Sequence, residues 1–142
     1  MSRRRQGVFS VEVRPTGVAW VLELRGELDF ESAAQLREAA DVLFEAEQPA
    51  LLVVDCAALG FCDSSGINVL IRIYQRLSER GGVLRLAAVP GSVTRVFALT
   101  GLNQVMAVYE TADEALSVQD GARALRGPDT SAGPLDDEKA VG

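Results

Sequence analysis

Alternating hydrophobic and polar positions predict two strands at the start of the chain. Residues 18–25 read VAWVLELR, and their side chains alternate between two faces with the period of a half-buried strand. Residues 8–13 also have the pattern of a strand. Pro15, Thr16 and Gly17 lie between the two segments and favour a turn. The sequence therefore predicts a hairpin.

Two later segments change to helical spacing. Ser32 and Gln35 fit the S-x-x-Q pattern of a capping box, which marks a helix start. Apolar residues then recur at positions 33, 36, 40 and 43, and the pattern stops before Pro49. A second apolar stripe covers positions 67, 70, 71, 74 and 77. Positions 69 and 73 either widen this core face or contribute to a docking surface. The pair Gly81-Gly82 predicts the end of this second helix.

A continuous apolar run separates the two predicted helices. Residues 50–55 read ALLVVD and show no polar alternation, as expected for a strand that is covered on both faces. We therefore expect this strand at the centre of the sheet. Leu70 and Ile71 of the second helix should pack against it.

The rest of the periodic sequence adds short elements. Residues 83–89 predict a strand, residues 93–100 a short helix and residues 105–109 a last short strand. Thr111 and Glu114 form a second capping box before a final helix. The order β-β-α-β-α-β-α-β-α predicts an α/β fold, with a mixed, largely parallel sheet of about four to five strands covered by about four helices.

The ends of the chain lack this periodicity. Residues 1–6 are expected to be a flexible tail, and residues 7–120 a single domain. Residues 121–142 are dominated by glycine, proline, serine and acidic side chains. Such a composition buries too little apolar surface to offset the entropy of ordering, so this segment is expected to be disordered.

The composition limits the classes of partner. The chain has 142 residues, a formal net charge of −6 and a pI near 4.7. Nucleic acids and anionic membranes attract basic faces, so neither is expected as a partner. No apolar run has the length of a membrane span. The arginines at positions 3–5 precede an alternating segment rather than the apolar core of a signal peptide, so a cytoplasmic protein is expected.

The sequence contains no histidine, which excludes Ser-His-Asp and Cys-His catalysis within this chain. Its two cysteines, Cys56 and Cys62, match neither a CxxC redox pair nor a zinc site. They are interpreted as small buried hydrophobic residues. No metal, cofactor or catalytic residue is therefore predicted, and the chain is not expected to be an enzyme.

Polar residues gather where the second helix begins. Asp63, Ser64 and Ser65 are each suited to be the N-cap, because the first backbone N–H groups of a helix lack internal partners. A second interpretation is that one hydroxyl accepts a phosphate. The positive end of the helix dipole would tolerate that anion, so the fold would persist while the surface changed its charge. The local pattern alone leaves both interpretations open.

Three motifs resemble the STAS domain of the bacterial anti-sigma factor antagonist family. They are GELDF at residues 26–30, LVVDCAALGFCDSSGINVLIRIY at residues 52–74 and VPGSVTRVFALTGLNQVMAVYETADEAL at residues 89–116. Their order and spacing are similar to those of the family. The resemblance covers about residues 7 to 120, and the middle motif, with its D-S-S-G at a helix start, is the most specific.

The resemblance implies a partner-switching mechanism. In this family the first serine of D-S-S-G, here Ser64, is phosphorylated by the anti-sigma factor, which is an ATP-dependent serine kinase. The unphosphorylated protein would bind the anti-sigma factor and free a sigma factor, and a serine phosphatase would reset the switch. Asp63 and Asp29 are expected on the partner-facing surface. Ser65, Gly66 and Asn68 complete this set.

Two residues depart from the family pattern, and alternatives stay open. Asn68 stands where the family often has a small residue, and Cys62 replaces a commoner apolar residue. Ser65 is the alternative phosphate acceptor. An accessory STAS domain of a transporter or signalling complex would share the fold without the kinase switch. A carrier protein also has a modified serine after an aspartate, but carrier domains are all-helical and the strand patterns here oppose that class.

Deleting residues 121–142 should change the melting temperature by only one or two degrees, roughly, since an exposed terminus adds little to a core. Thermal unfolding of the full and truncated chains, followed by circular dichroism, measures this difference. A large drop would show that the segment packs on the domain.

Overall fold

A computed structural model describes residues 8–17 and 19–117. Both predicted tails, and the predicted strand position Val18, lie outside these residues. Within them the chain forms five strands and five helices in the order β1 Ser10–Thr16, β2 Ala19–Leu28, α1 Ala33–Ala46, β3 Leu51–Cys62, α2 Ser64–Glu79, β4 Val83–Ala87, α3 Gly91–Thr100, α4 Leu102–Val105, β5 Ala107–Tyr109 and α5 Ala112–Ser117. The predicted α/β class is confirmed.

The strands form one sheet in the order β1-β2-β3-β4-β5. The β1–β2 pair is an antiparallel hairpin, and the other three pairs are parallel. β3 is therefore the central strand, as its continuous apolar sequence predicts. Its Leu52 and Val54 face the main core, whereas Val53 belongs to a second, smaller core.

The main core lies between one face of the sheet and the helices α1, α2 and α3. The predicted stripe of α1 is buried, and Phe44 joins it. Leu70 of α2 is fully buried in this core, and Ile71 packs against it at partial exposure. The side chains at positions 69 and 73, which widen the stripe, are also buried.

The second core lies on the opposite face of the sheet under α5, and it corrects the prediction for β2. A half-buried strand would expose one set of alternate side chains. Instead both Val21 and Leu22 are buried, Val21 in the second core beside Ala115 of α5 and Leu22 in the main core. Only toward Arg25 does the second face of β2 become exposed.

Several predicted boundaries also differ from the structure. β1 begins later than residues 8–13 and includes Pro15, which an edge strand tolerates. β4 ends at Ala87, two residues early. The largest difference is that β3 continues seven residues beyond Asp55, because β2 keeps pairing with it as far as Leu28 and Cys62. Two register shifts accommodate the irregular pattern of this extension.

The predicted capping box at Ser32 is wrong in its hydrogen bonds. The Ser32 hydroxyl accepts from the Asp29 N–H and donates to the Glu27 carbonyl, rather than capping α1. Gln35 donates its side-chain amide to the Phe9 carbonyl. A local turn between residues 29 and 32 therefore replaces the capping interaction.

The predicted end of α2 and the predicted start of α5 agree more closely with the structure. α2 ends in a Schellman motif, in which the N–H groups of Gly82 and Gly81 donate to the carbonyls of Leu77 and Ser78. At α5 the Thr111 hydroxyl accepts from the Glu114 N–H as predicted. The Glu114 carboxylate reaches the Glu110 N–H instead of completing the reciprocal bond.

Candidate functional site

The site forms where β2 and β3 end side by side. Leu28 and Cys62 are the last paired residues of these parallel strands, and the Asp63 N–H donates to the Leu28 carbonyl at 3.1 Å. Asp29 and Asp63 follow directly, so they emerge at the same edge of the sheet. The two aspartates, both expected on the partner-facing surface, therefore share one edge of the sheet.

Asp63 is the N-cap of α2. Its backbone is extended, and its Oδ1 accepts from the N–H groups of Ser65 at 2.9 Å and Gly66 at 3.3 Å. Of the three candidates in the sequence, the aspartate therefore performs the capping. Ser64 is the first residue of the helix and is exposed. Among the described residues, its hydroxyl makes no hydrogen bond.

Gly66 allows the first turn of α2 to contact the end of β2. A Cβ atom at this position would lie 2.6 Å from Leu28 Cγ and 2.9 Å from Cys62 Sγ. Both neighbours are buried, so neither can move away freely. Gly66 is predicted to face the partner, but the structure buries it. Its lack of a side chain sets how closely α2 lies on the sheet.

The loop between β2 and α1 is held by a reciprocal pair of hydrogen bonds. The Ser32 N–H donates to Asp29 Oδ1 at 3.0 Å, and the Asp29 N–H donates to Ser32 Oγ at 2.9 Å. Phe30 lies within this turn with 80% of its surface exposed. The turn therefore presents an aromatic ring beside the aspartate.

Gly26, which precedes this loop, allows β2 to lie close to the backbone of Val8. Its φ is +92°, and a Cβ atom there would lie 2.0 Å from the Val8 carbonyl oxygen. Any other residue would both be strained and displace the segment before β1. This explains, in physical terms, the glycine that opens the GELDF motif.

An open groove of about 680 Å³ runs between the N-terminal halves of α1 and α2. Two of the predicted partner-facing residues, Ser65 and Asn68, line it. Arg37 from α1 and Arg72 from α2 also line it, as does Phe30. Ser64 and Asp29 are not among the lining residues. The predicted set therefore divides between the strand ends and this groove.

Sequence reasoning missed the exposed aromatic residues and the two arginines. Phe61 precedes Cys62 near the end of β3 and is 46% exposed, paired in register with Glu27. A signal for Phe30 was present, because it follows a strand and lies outside the apolar stripe of α1. Arg37 and Arg72 had no such signal, since only the packing of the two helices brings them to one groove.

The family model of the STAS domain matches residues 10–115 of this chain. The chain belongs to the STAS family of anti-sigma factor antagonists. The anti-sigma-F factor antagonist RsfB of Mycobacterium tuberculosis is 35% identical over 111 residues, which cover 75% of this chain and 85% of RsfB.

Two solved structures are similar to this STAS domain. An anti-sigma factor antagonist from Mycobacterium paratuberculosis is 29% identical with a TM-score of 0.70, and the match covers 78% of this chain and 93% of that one. The cell fate determinant SpoIIAA of Bacillus, solved in its phosphorylated form, is 26% identical with a TM-score of 0.60, and the match covers 77% and 96%.

Both cysteines of the STAS domain are free thiols buried in the main core, as the sequence predicts. Burial, and to a smaller degree the Asp63 carboxylate, raises the pKa of Cys62 from its ordinary 9.0 to about 12. Burial, the Cys62 thiol and Asp55 also raise the pKa of Cys56. Because the thiolate is the reactive form, both thiols are inert near neutral pH.

The described ranges 8–17 and 19–117 contain no cluster of three or more side chains suited to hold a metal ion. In the same part of the chain, no helix is long and apolar enough to cross a membrane. The chemistry of the site therefore rests on hydroxyl, carboxylate, guanidinium and aromatic groups.

Replacing Gly66 by alanine should lower the free energy of unfolding by about 1–3 kcal/mol, because the new methyl group overlaps Leu28 and Cys62. Gly91→Ala is the matched control, since it lies at the start of α3 with nothing within 4 Å of the added methyl group. Its effect should stay within about 0.5 kcal/mol. Urea titration measures both, and equal effects would contradict the contact.

Stability should fall as the pH rises from 9 toward 12, the interval between the ordinary and the folded pKa of Cys62. The folded state holds this proton more tightly, so its contribution is complete below pH 9 and is lost through the folded pKa. The expected slope is roughly 1 kcal/mol per pH unit for one thiol.

Cys62→Ala tests this assignment through the slope of unfolding free energy against pH. The variant loses packing at every pH, but its curve should be flatter than that of the wild type between pH 9 and 11. Parallel curves for the two proteins would contradict the raised pKa.

Proposed function

We propose that this STAS domain binds an anti-sigma factor when Ser64 is unmodified, and that phosphorylation of Ser64 stops the binding and so controls release of a sigma factor. One observation carries the proposal: Ser64 is exposed at the start of α2, while Asp63 alone performs the capping. The hydroxyl is therefore accessible to a kinase and, in the part of the chain that the structure describes, has no hydrogen bond to lose.

The position of Ser64 is also suited to a phosphoserine. A phosphoserine carries about −1.5 to −2 charges at neutral pH. At the first residue of a helix this charge meets the positive end of the helix dipole and unpaired backbone N–H groups. The fold should therefore tolerate the phosphate. The structure of SpoIIAA in its phosphorylated form supports this expectation for the fold.

The same charge would disturb a bound partner. Asp63 and Asp29 already lie at this edge of the sheet, and a partner that binds there is fitted to a neutral hydroxyl at Ser64. A phosphate adds like-charge repulsion and polar oxygens that the interface does not match. A hundredfold weakening corresponds to about 2.7 kcal/mol, which a single misplaced charge at an interface can supply.

The anti-sigma factor is proposed to be the ATP-dependent serine kinase itself, with a separate serine phosphatase to remove the phosphate. In this role the STAS domain is a cytoplasmic binding protein and a kinase substrate, not an enzyme. Ser65 is the less favourable acceptor, because it is partly buried and its N–H is held by Asp63.

A pull-down from the host, with wild type and Ser64→Asp as baits, should recover the anti-sigma factor on the wild type only. The recovered protein should then be purified and mixed with ATP, Mg²⁺ and the wild-type chain. It should add one phosphate to that chain at Ser64. Ser64→Ala should bind with wild-type affinity but resist modification, and Ser64→Asp should bind at least tenfold more weakly. Mass spectrometry and calorimetry measure these outcomes.

Ser92 provides the matched control, because it is also an exposed serine in the first turn of a helix, α3, and does not line the groove. Ser92→Asp changes the net charge equally and should leave binding unchanged. Phosphate on Ser65 would move the acceptor by one residue. Equal affinities for wild type and Ser64→Asp would overturn the switch and favour an accessory STAS domain.

A further inference from the structure

Two arginines line the groove between α1 and α2. Arg37 comes from α1 and Arg72 from α2, and both are exposed. Neither has an ion pair or a hydrogen bond with any other residue in the described ranges. Their situation differs from that of Arg76, one turn further along α2, which pairs with Asp41 and lies 4.5 Å from the centroid of the Phe44 ring.

The groove combines this charge with apolar surface. Ala33 and Ala34 of α1 and the buried Val69 of α2 contribute small or apolar side chains to its walls. Phe30 stands at the same groove with most of its ring in water. An exposed aromatic ring beside unpaired guanidinium groups is typical of the residues that dominate binding energy at protein interfaces.

The charge of the groove is opposite to that of the whole protein. The chain has a formal net charge of −6. Two arginines and one acidic residue, Glu31, line the groove, so it is locally basic. A guanidinium group binds a carboxylate with two parallel hydrogen bonds, and two such groups on facing helices form a clamp for acidic side chains. Nucleic acids and membranes would need a larger basic face.

The groove is also coupled to the site of the switch. Ser65 and Asn68, which line it, lie one residue and about one helical turn from Ser64. A phosphate on Ser64 would therefore stand close to whatever occupies the groove, at a range that salt screens only partly. Such a phosphate would repel an acidic occupant.

We propose that this groove receives an acidic segment of the anti-sigma factor, which places a carboxylate between Arg37 and Arg72 and an apolar side chain against Phe30. The inference rests on the proposed function and deepens it, because it names the chemistry of the docked segment. It also explains why phosphate at the neighbouring serine opposes binding.

The test measures the affinity of the full chain for the anti-sigma factor recovered and purified in the pull-down above. Arg37→Glu and Arg72→Glu should each weaken binding about tenfold, and the double variant more strongly. Arg95→Glu is the matched control, since it reverses an exposed arginine of α3 that does not line the groove. Its affinity should stay within about twofold of the wild type.

Two further measurements separate charge recognition from misfolding. The wild-type affinity should fall more steeply with salt than that of the double variant, because the double variant has lost the attraction that salt screens. In the complex, one acidic residue of the anti-sigma factor should lie in the groove. Replacing that residue with a basic one should restore affinity for the double variant. Circular dichroism should show unchanged secondary structure in every variant.

Equal affinities for Arg72→Glu and Arg95→Glu would overturn this inference while leaving the Ser64 switch intact. The converse result, an arginine effect with no Ser64→Asp effect, would overturn the proposed switch and keep the groove. If deleting residues 121–142, which include an acidic run at 136–138, tightened binding to the wild type but not to the double variant, the chain's own tail would be the occupant, against the proposal.

Discussion

The contact between Gly66 and Leu28 positions the strand and helix ends that form the candidate site. Because no Cβ intervenes, the first turn of α2 lies directly on the end of β2, with Cys62 as the third member of the contact. This closeness brings the end of β2 beside the N-terminus of α2 and sets Asp29 at the same edge as Asp63. α1 follows β2 through a short turn, so it also begins near this edge, and its first residues line one groove together with residues of α2.

Asp63 and Ser64 divide two tasks that a single serine could not perform together. A capping side chain is committed to backbone N–H groups, so modification of a capping serine would remove the cap. Here the Asp63 carboxylate accepts hydrogen bonds from the N–H groups of Ser65 and Gly66, and the Ser64 hydroxyl next to it is exposed. Chemical change at Ser64 can therefore alter the surface without altering the helix. A switch of this kind needs no refolding and acts through charge at the interface.

The sequence predicted the features that depend on local periodicity. The run at residues 50–55 and the stripe of α2 identified the central strand and its covering helix, because both patterns extend over several residues. The extension of β3 to Cys62 escaped prediction, since its register shifts break the alternation. Ser32 was misread because Asp29 competes for its hydroxyl. The groove could not be predicted at all, because its arginines lie 35 positions apart in the sequence and meet only through helix packing.

The two ends of the α1–α2 contact differ in whether their arginines have an acidic partner. Toward the C-terminal end, Arg76 pairs with Asp41, and Phe44 lies beneath the guanidinium groups of Arg76 and Arg80. Toward the site, the residue one turn before Arg72 is Asn68, so no acidic neighbour at that spacing neutralises the arginine. The arginine at one end is thus neutralised, whereas within residues 8–17 and 19–117 Arg37 and Arg72 at the other end have no ion pair. Asn68, one of the two departures from the family pattern, therefore adds no negative charge to the groove beside Ser64.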